Sequence, residues 1–403
     1  MERRNFLKIS ATGIGVLSLV GLAGKEKTRM EHNSDSLLSK GPLAIAMWDF
    51  SWLERRWDGA GYEDWDKALD ELSVRGYNAV RIDAYPHLIA IDPYKNWELL
   101  PEWSVQDWGA PARCIIQVQP YLNQFIKKCK ERGIKVALST WFRQDIDDVR
   151  LKLTTPDDHI RIWKKTLESI DDEGLLNNIL YVDCNNEFPY WNKFLPSGFM
   201  RNSKEGVEWM MTIENGLRKY YPNMPLTFSF AGEYETWKTE NVDMHDFLEL
   251  HLWMTNYSEF YKEINYNYER FDIKAYERVQ LYAEKLYRSK PEYWQQKLKE
   301  GIRFLIDWSE SSGKPLVTTE CWGIVDYKDY PMLNWEWVKE LCEIGTKEAA
   351  KSGRWLAIAT SNFCGPQFVG MWRDVEWHQK LTAIIKNAPI EHSLKDNKLM
   401  NRL

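Results

Sequence analysis

Two stretches of the 403-residue sequence run from apolar residues straight into an acid. Tyr181-Val182-Asp183-Cys184-Asn185-Asn186-Glu187-Phe188-Pro189 ends in a cluster of amides and a carboxylate, and Pro315-Leu316-Val317-Thr318-Thr319-Glu320-Cys321-Trp322-Gly323 ends in a single glutamate. A carboxyl just beyond a strand is carried by a rigid element and left facing a site. Two of them, roughly 5–5.5 Å apart, suit cleavage of a glycosidic bond with retention: one protonates the departing oxygen, and the other attacks the anomeric carbon and is later released by water. Glu187 and Glu320 are the candidates for that pair.

Other residues could assist them. Val80-Arg81-Ile82-Asp83 places an arginine inside an apolar run, where a cation beside Glu320 would keep it ionised; an ion pair with Asp83 or Asp183 is the structural alternative. In His251-Leu252-Trp253 the period of two puts an imidazole and an indole on one face, although His251 would serve equally as a hydrogen-bonded histidine of the interior. Trp141, Trp322 and Trp372 are candidate stacking platforms for sugar rings, with plain packing as the alternative. Asn362 and Gln367 could add hydrogen bonds. Asp49 could act as a third acid, whereas Asp183, four residues before Glu187, reads as a buried acceptor behind it.

The elements that would position these residues repeat along the chain. Short apolar runs at Leu43 to Trp48, Ala79 to Asp83, Lys135 to Thr140, Ile179 to Asp183, Leu226 to Phe230, Leu248 to Trp253, Leu316 to Glu320 and Leu356 to Thr360 read as strands. Between them lie amphipathic stretches such as Asp64 to Arg75, Ile116 to Arg132, His159 to Asp171, Gly206 to Tyr220, Trp294 to Ser311, Trp335 to Ser352 and Val375 to Lys386. Helices end at Gly76, Gly133, Gly313 and Gly353, where glycine accepts the left-handed cap before the next strand. Eight units of strand then helix predict an α/β fold, a (β/α)8 TIM barrel in one catalytic domain over 43–388. The connections after the second, sixth and eighth strands are long, so the elaboration gathers at the strand C-terminal ends, where barrel enzymes keep their sites. A doubly wound sheet would show a Gly-rich turn after its first strand, and Met47-Trp48-Asp49-Phe50 has none.

An Asn-Glu pair ending the fourth strand and a lone Glu ending the seventh resemble the large clan of retaining barrel glycosidases that includes family 5 cellulases and mannanases. The resemblance covers about 43 to 388. It implies that Glu187 is the acid/base, Glu320 the nucleophile, Asn186 a donor to the sugar 2-hydroxyl and Arg81 the nucleophile's partner. The sequence departs from that pattern in three places. Strand three ends Ser139-Thr140-Trp141 where many relatives have His, Trp253 stands where Tyr is usual, and Phe188 separates Glu187 from Pro189. It therefore reads as a divergent member, and a carbohydrate-binding barrel without catalysis remains the second reading.

Composition sets the remaining bounds. A net charge of −6 with no basic block beyond the N-terminus points away from nucleic acid and anionic membrane and towards a small or neutral ligand; the glycosidase reading makes the expected partner an oligosaccharide or polysaccharide. The chain carries 21 Trp, many in polar surroundings such as Trp97, Trp103, Trp108 and Trp191, which suits a cleft that stacks sugars. Residues 1–30, with Arg3-Arg4-Asn5-Phe6-Leu7-Lys8 ahead of a weakly polar run to Gly24, resemble a twin-arginine export signal, with Glu2 where Ser or Thr is usual. A periplasmic or extracellular location is expected, with 31–42 a linker, 389–403 a C-terminal tail and no stable membrane insertion of the mature domain. The six cysteines are expected to be mostly free and buried, with no cofactor and no metal site, since neither a Cys-x-x-Cys nor a convergent ligand set appears at the strand ends.

Overall fold

The computed structural model describes residues 37–38, 40–102, 108–232, 234, 236–267, 272–329 and 334–403. The expected export segment, most of 31–42 and Trp103 lie outside the described residues. Eight parallel strands form the barrel wall: β1 (Leu43–Asp49), β2 (Ala79–Asp83), β3 (Lys135–Ser139), β4 (Ile179–Asp183), β5 (Leu226–Thr227), β6 (Leu248–Glu249), β7 (Leu316–Thr318) and β8 (Trp355–Ile358). Their spatial order is β5-β4-β3-β2-β1-β8-β7-β6. The ring closes through a parallel bridge of Phe230 with Leu250, where Phe230 N donates to Glu249 O at 2.9 Å and His251 N to Phe230 O at 2.8 Å. This is the (β/α)8 barrel that the alternating pattern predicts.

The strands are near-continuous apolar runs because both faces are covered, the inner by the opposite wall and the outer by helices. Those helices are α1 (Trp65–Val74), α2 (Tyr121–Glu131), α3 (Pro156–Asp171), α4 (Lys204–Arg218), α5 (Ile273–Ser289), α6 (Pro291–Ser312), α7 (Glu336–Ser352) and α8 (Val375–Lys386). Their starts follow from side chains that satisfy the first free N–H groups: Asp64, Ser203 and Asp374 cap α1, α4 and α8, and Thr155 with Asp158 forms a capping box on α3. Helices α6 and α7 stop at Gly313 and Gly353, both left-handed at φ 69° and 75°.

Two units depart from the expected alternation. No α-helix follows β5 among the described residues, only the 3-10 turn Trp237–Thr239. The apolar residues of that stretch do not share a helical face; Trp237 instead wedges beside Phe230 and Trp308, its ring centroid 5.8 and 5.7 Å from theirs. The connection after β2 holds a hairpin, Asn96–Leu99 against Cys114–Gln117, so α2 begins at Tyr121 and not at Ile116.

At the base of the barrel, Leu37–Leu38 pairs antiparallel with Ile390–Glu391, and Ile390, Leu394 and Leu399 are buried, so 389–403 is anchored at three points. All six cysteines are free thiols, five of them buried and Cys114 partly so. No helix among the described residues is long and apolar enough to cross a membrane.

Helix α7 lies unusually close to the strand-seven segment because Gly345 has no side chain. A Cβ built there would come within 2.5–2.7 Å of three atoms of Trp322. Gly345→Ala is therefore expected to destabilise the protein by about 1–3 kcal/mol through overpacking, seen as a lower Tm and urea midpoint with the secondary structure unchanged.

Candidate active site

The mouth of the barrel is organised around one buried arginine. Arg81 leaves the middle of β2, where it pairs with Met47 on one side and Ala137 on the other, and its guanidinium lies fully inside. Its Nε and Nη2 donate to Asp49 at 2.8 and 2.6 Å, Nη2 donates also to Glu320 Oε1, and Nη1 donates to Glu249 Oε1 at 2.9 Å and to Thr319 Oγ1 at 2.7 Å. Neither Asp83 nor Asp183 is its partner. Asp83 instead accepts the backbone N–H groups of Tyr85 and Trp141, both at 2.7 Å, which ties the end of β2 to the end of β3.

Glu187, Glu320 and His251 converge above the arginine. One donor atom from each lies within 4.8 Å of the others. His251 Nδ1 is 2.9 Å from Glu187 Oε1 and 3.5 Å from Glu320 Oε1. Burial works against a charged imidazole, but the carboxylates of Glu320, Glu187 and Glu249 outweigh it and lift His251 to about 10. Arg81 Nη1 also comes to 3.0 Å of Nε2, a contact that favours an unprotonated nitrogen. That N–H has Glu249 and Thr319 as alternative acceptors, so the upward direction set by three carboxylates prevails. The three form a convergent ligand set that the sequence did not show as one, and a metal would have to displace the imidazole proton before Nδ1 could coordinate it.

Burial raises Glu320 to about 7; Glu187 and Asp49 push the same way, while His251 and Arg81 pull it down. Its Oε1 is held by Arg81, and its Oε2 is buried without a hydrogen-bond partner.

Glu187 sits at φ 46°, a left-handed backbone that costs a non-glycine residue on the order of 1–2 kcal/mol. A relay holds it there. Glu187 N donates to Ser229 Oγ at 2.8 Å, Ser229 Oγ donates to Asp183 Oδ2 at 2.9 Å, and Ser139 Oγ donates to the same oxygen at 2.8 Å. Asp183 is thus the buried acceptor expected of it. Glu187 Oε2 accepts from Trp191 Nε1 at 2.9 Å. Beside it, both side-chain amide atoms of Asn186 are buried without a partner.

A cavity of ≈ 400 Å³ opens onto both glutamates, walled by Trp108, Trp141, Trp191, Trp253 and Tyr261. Trp141 Nε1 donates to Asp49 Oδ2 at 2.6 Å and Trp253 Nε1 to Asn362 Oδ1 at 3.2 Å. Of the expected residues, Glu187, Glu320, Arg81, His251, Trp253, Trp141 and Asp49 are therefore brought together, and Asn186 adjoins Glu187 in the chain. Asp49 is turned into the arginine, with both oxygens committed.

Trp322 and Trp372 are not part of this group. Trp322 points out of the barrel against α7, its Nε1 donating to Ala359 O at 2.9 Å, because strand pairing breaks after Thr318 and resumes only at Cys321–Trp322 beside Leu252–Trp253. Trp372 belongs to the outer layer, with its face on Tyr77 at 19° to that ring, Arg75 above it and Nε1 on Glu71 at 2.8 Å. Gln367 is likewise taken up locally, by Tyr62 and Ser51.

The sequence reading missed Glu249, Thr319 and Ser229. A glutamate between leucines in Leu248-Glu249-Leu250-His251 was visible, and the period of two puts it on the same face as His251.

With this geometry in place, the class of the protein is defined: it has the fold of a cellulase-like glycoside hydrolase. The chain belongs to the sugar-binding cellulase-like family, which it matches over residues 45–386. It is similar to a candidate glycoside hydrolase from Parabacteroides distasonis ATCC 8503, at 51% identity and a TM-score of 0.88 over 90% of this chain and 100% of that one. An endo-β-1,4-mannanase from Thermotoga petrophila is 15% identical with a TM-score of 0.49, over 86% of this chain and 77% of that one, too distant to bear on the site. No curated protein matches the chain.

Removing Arg81 leaves Asp49, Glu249 and Glu320 buried without their shared cation. Arg81→Leu is expected to cost about 3–5 kcal/mol in chemical denaturation. Arg81→Lys should restore only part of this, since one ammonium cannot span three carboxylates.

Proposed function

We propose that the protein hydrolyses a β-linked glycan or oligosaccharide with retention, by double displacement through a glycosyl-enzyme intermediate. The observation that carries this reading is the pair of carboxyl oxygens on Glu187 and Glu320 within 4.8 Å of each other. An approach this close supports the roughly 5–5.5 Å spacing of retaining enzymes over the about 6.5–9.5 Å that leaves room for a water in inverting ones. Glu320 attacks the anomeric carbon through Oε2, the oxygen that Arg81 leaves free. Glu187 protonates the departing oxygen and then, as a carboxylate, takes a proton from the water that releases the sugar. His251 and Trp191 hold its two oxygens in place, and the unpartnered amide of Asn186 suits the sugar 2-hydroxyl. The tryptophan walls support a sugar face as the thing bound. The charged and then apolar run before residue 25 supports a substrate met outside the cytoplasm.

A screen of aryl β-glycosides and a polysaccharide panel identifies the sugar. Glu320→Gly should be inactive by at least about a thousandfold and regain turnover with azide, giving the α-glycosyl azide from a β-glycoside. Hydrolysis that persists in this variant would remove Glu320 as the nucleophile. Binding of oligosaccharides without any product would instead favour the sugar-binding reading that the family description also carries.

The raised Glu320 gives a pH prediction. Attack needs the ionised form, and its pKa lies near 7, so kcat/KM should climb as pH rises through about 7, an acid limb well above that of an ordinary glutamate. A rate that is already flat at about pH 5 would contradict the assignment.

A further inference from the structure

We propose that a second cavity beside the catalytic one binds the sugar units on the leaving-group side of the cleaved bond. The proposal rests on the assignment of Glu187 as the acid. The cavity, of ≈ 430 Å³, is formed by the segment that follows Glu187 and by residues after β5, and it shares Tyr190 and Ala231 with the catalytic cavity. It lies within the usual size of ligand sites, about 300–1,000 Å³.

The chemistry of its lining selects the ligand. Its one buried cation, Arg201, is already satisfied: it donates to Glu240 at 3.0 Å, to Ser229 O at 2.9 Å and to Phe228 O at 3.0 Å, and its guanidinium lies over the Phe230 ring. The other cation of the lining, Lys193, is exposed to water, so no buried charge is left to call for an anion. Asn192 is different. It is 5% exposed, lines the cavity, and has both Nδ2 and Oδ1 buried with no hydrogen-bond partner. An amide that offers donors and an acceptor side by side is matched by two neighbouring hydroxyls of a pyranose, one accepting and one donating. A neutral ring with vicinal hydroxyls fits this lining, with Tyr190 as the apolar surface between the two cavities.

The position selects the end of the chain. The lining contains the residues immediately after Glu187 and none from the strand that carries Glu320. Glu187 protonates the oxygen that stays with the departing sugar, so that sugar lies on its side. The next units of the chain pass Tyr190 and enter the second cavity. The site therefore confers a preference for longer substrates.

The test uses Asn192→Ala with the tri- to pentasaccharides of β-linked glucose, mannose, xylose and galactose, beside aryl β-glycosides whose leaving group is too small to pass Tyr190. The expected result is a loss of about tenfold in kcat/KM on the longer oligosaccharides with aryl-glycoside hydrolysis unchanged. In calorimetry on the Glu320→Gln background, the same substitution should weaken binding of those oligosaccharides by a similar factor while disaccharides are unaffected. Asn192→Leu, close in volume, serves if Asn192→Ala lowers the Tm. Chain-length dependence identical to that of the parent overturns the proposal, as does an equal loss on aryl glycosides. A Glu320→Gln protein that binds none of these oligosaccharides also overturns it. Azide rescue on an aryl glycoside is independent of this cavity, so the catalytic assignment stands or falls separately.

Discussion

Arg81 is the interaction on which the rest of the barrel mouth depends. One guanidinium on β2 joins acids from β1, β6 and the end of β7. Buried carboxylates repel one another and lose their hydration, and a well-packed barrel offers few ways to compensate. A planar fork with five N–H groups can serve several carboxylates at once where an ammonium could not. The arrangement leaves four acids, Asp49, Glu187, Glu249 and Glu320, against two cations, Arg81 and His251. Burial and the nearby acids push Glu320 upward, and the carboxylates around His251 hold its proton against burial.

The same cluster separates the duties of the two glutamates. Glu320 is fully inside, anchored by one oxygen and without a hydrogen-bond partner at the other. Glu187 is held at its backbone through Ser229 and Asp183 and at its carboxyl by His251 and Trp191. Its left-handed backbone is local strain supported by a chain of hydrogen bonds, the usual way a fold keeps a reactive group at a fixed angle. In the proposed double displacement Glu187 first donates and then accepts a proton, a task that partners fixing its direction would assist.

Much of this was legible in the sequence because a barrel repeats. Apolar runs ending at Asp83, Asp183 and Glu320, with glycines closing the helices between them, give strand ends directly, and strand ends give the face of the site. What was not legible depended on parity and on packing across the wall. Counting by two from Glu320 sends Trp322 inwards, but pairing lapses between Thr318 and Cys321, so the count does not carry across the break. Trp372 follows β8 by more than a dozen residues, too far for any period to place it. Glu249 was overlooked although its leucine neighbours marked a strand, because an acid in an apolar run has no partner in the linear sequence. Its partner, Arg81, is 168 positions away. The absence of a helix after β5 among the described residues shows the opposite limit, since an eightfold expectation supplied an element for which the residues had no apolar stripe.

Three of the cavity's tryptophans have their indole N–H groups engaged within the protein: Trp141 on Asp49, Trp191 on Glu187 and Trp253 on Asn362. Rings pinned by that edge cannot reorient to follow a ligand, and the faces are what they have left to offer. Recognition then reads the relief of a sugar ring, its ridges of C–H and the tilt of its hydroxyls, before any single polar contact. The pinned indoles also form a fixed set of chromophores whose surroundings change from water to carbohydrate on filling, so the emission of the protein itself registers an occupied cleft.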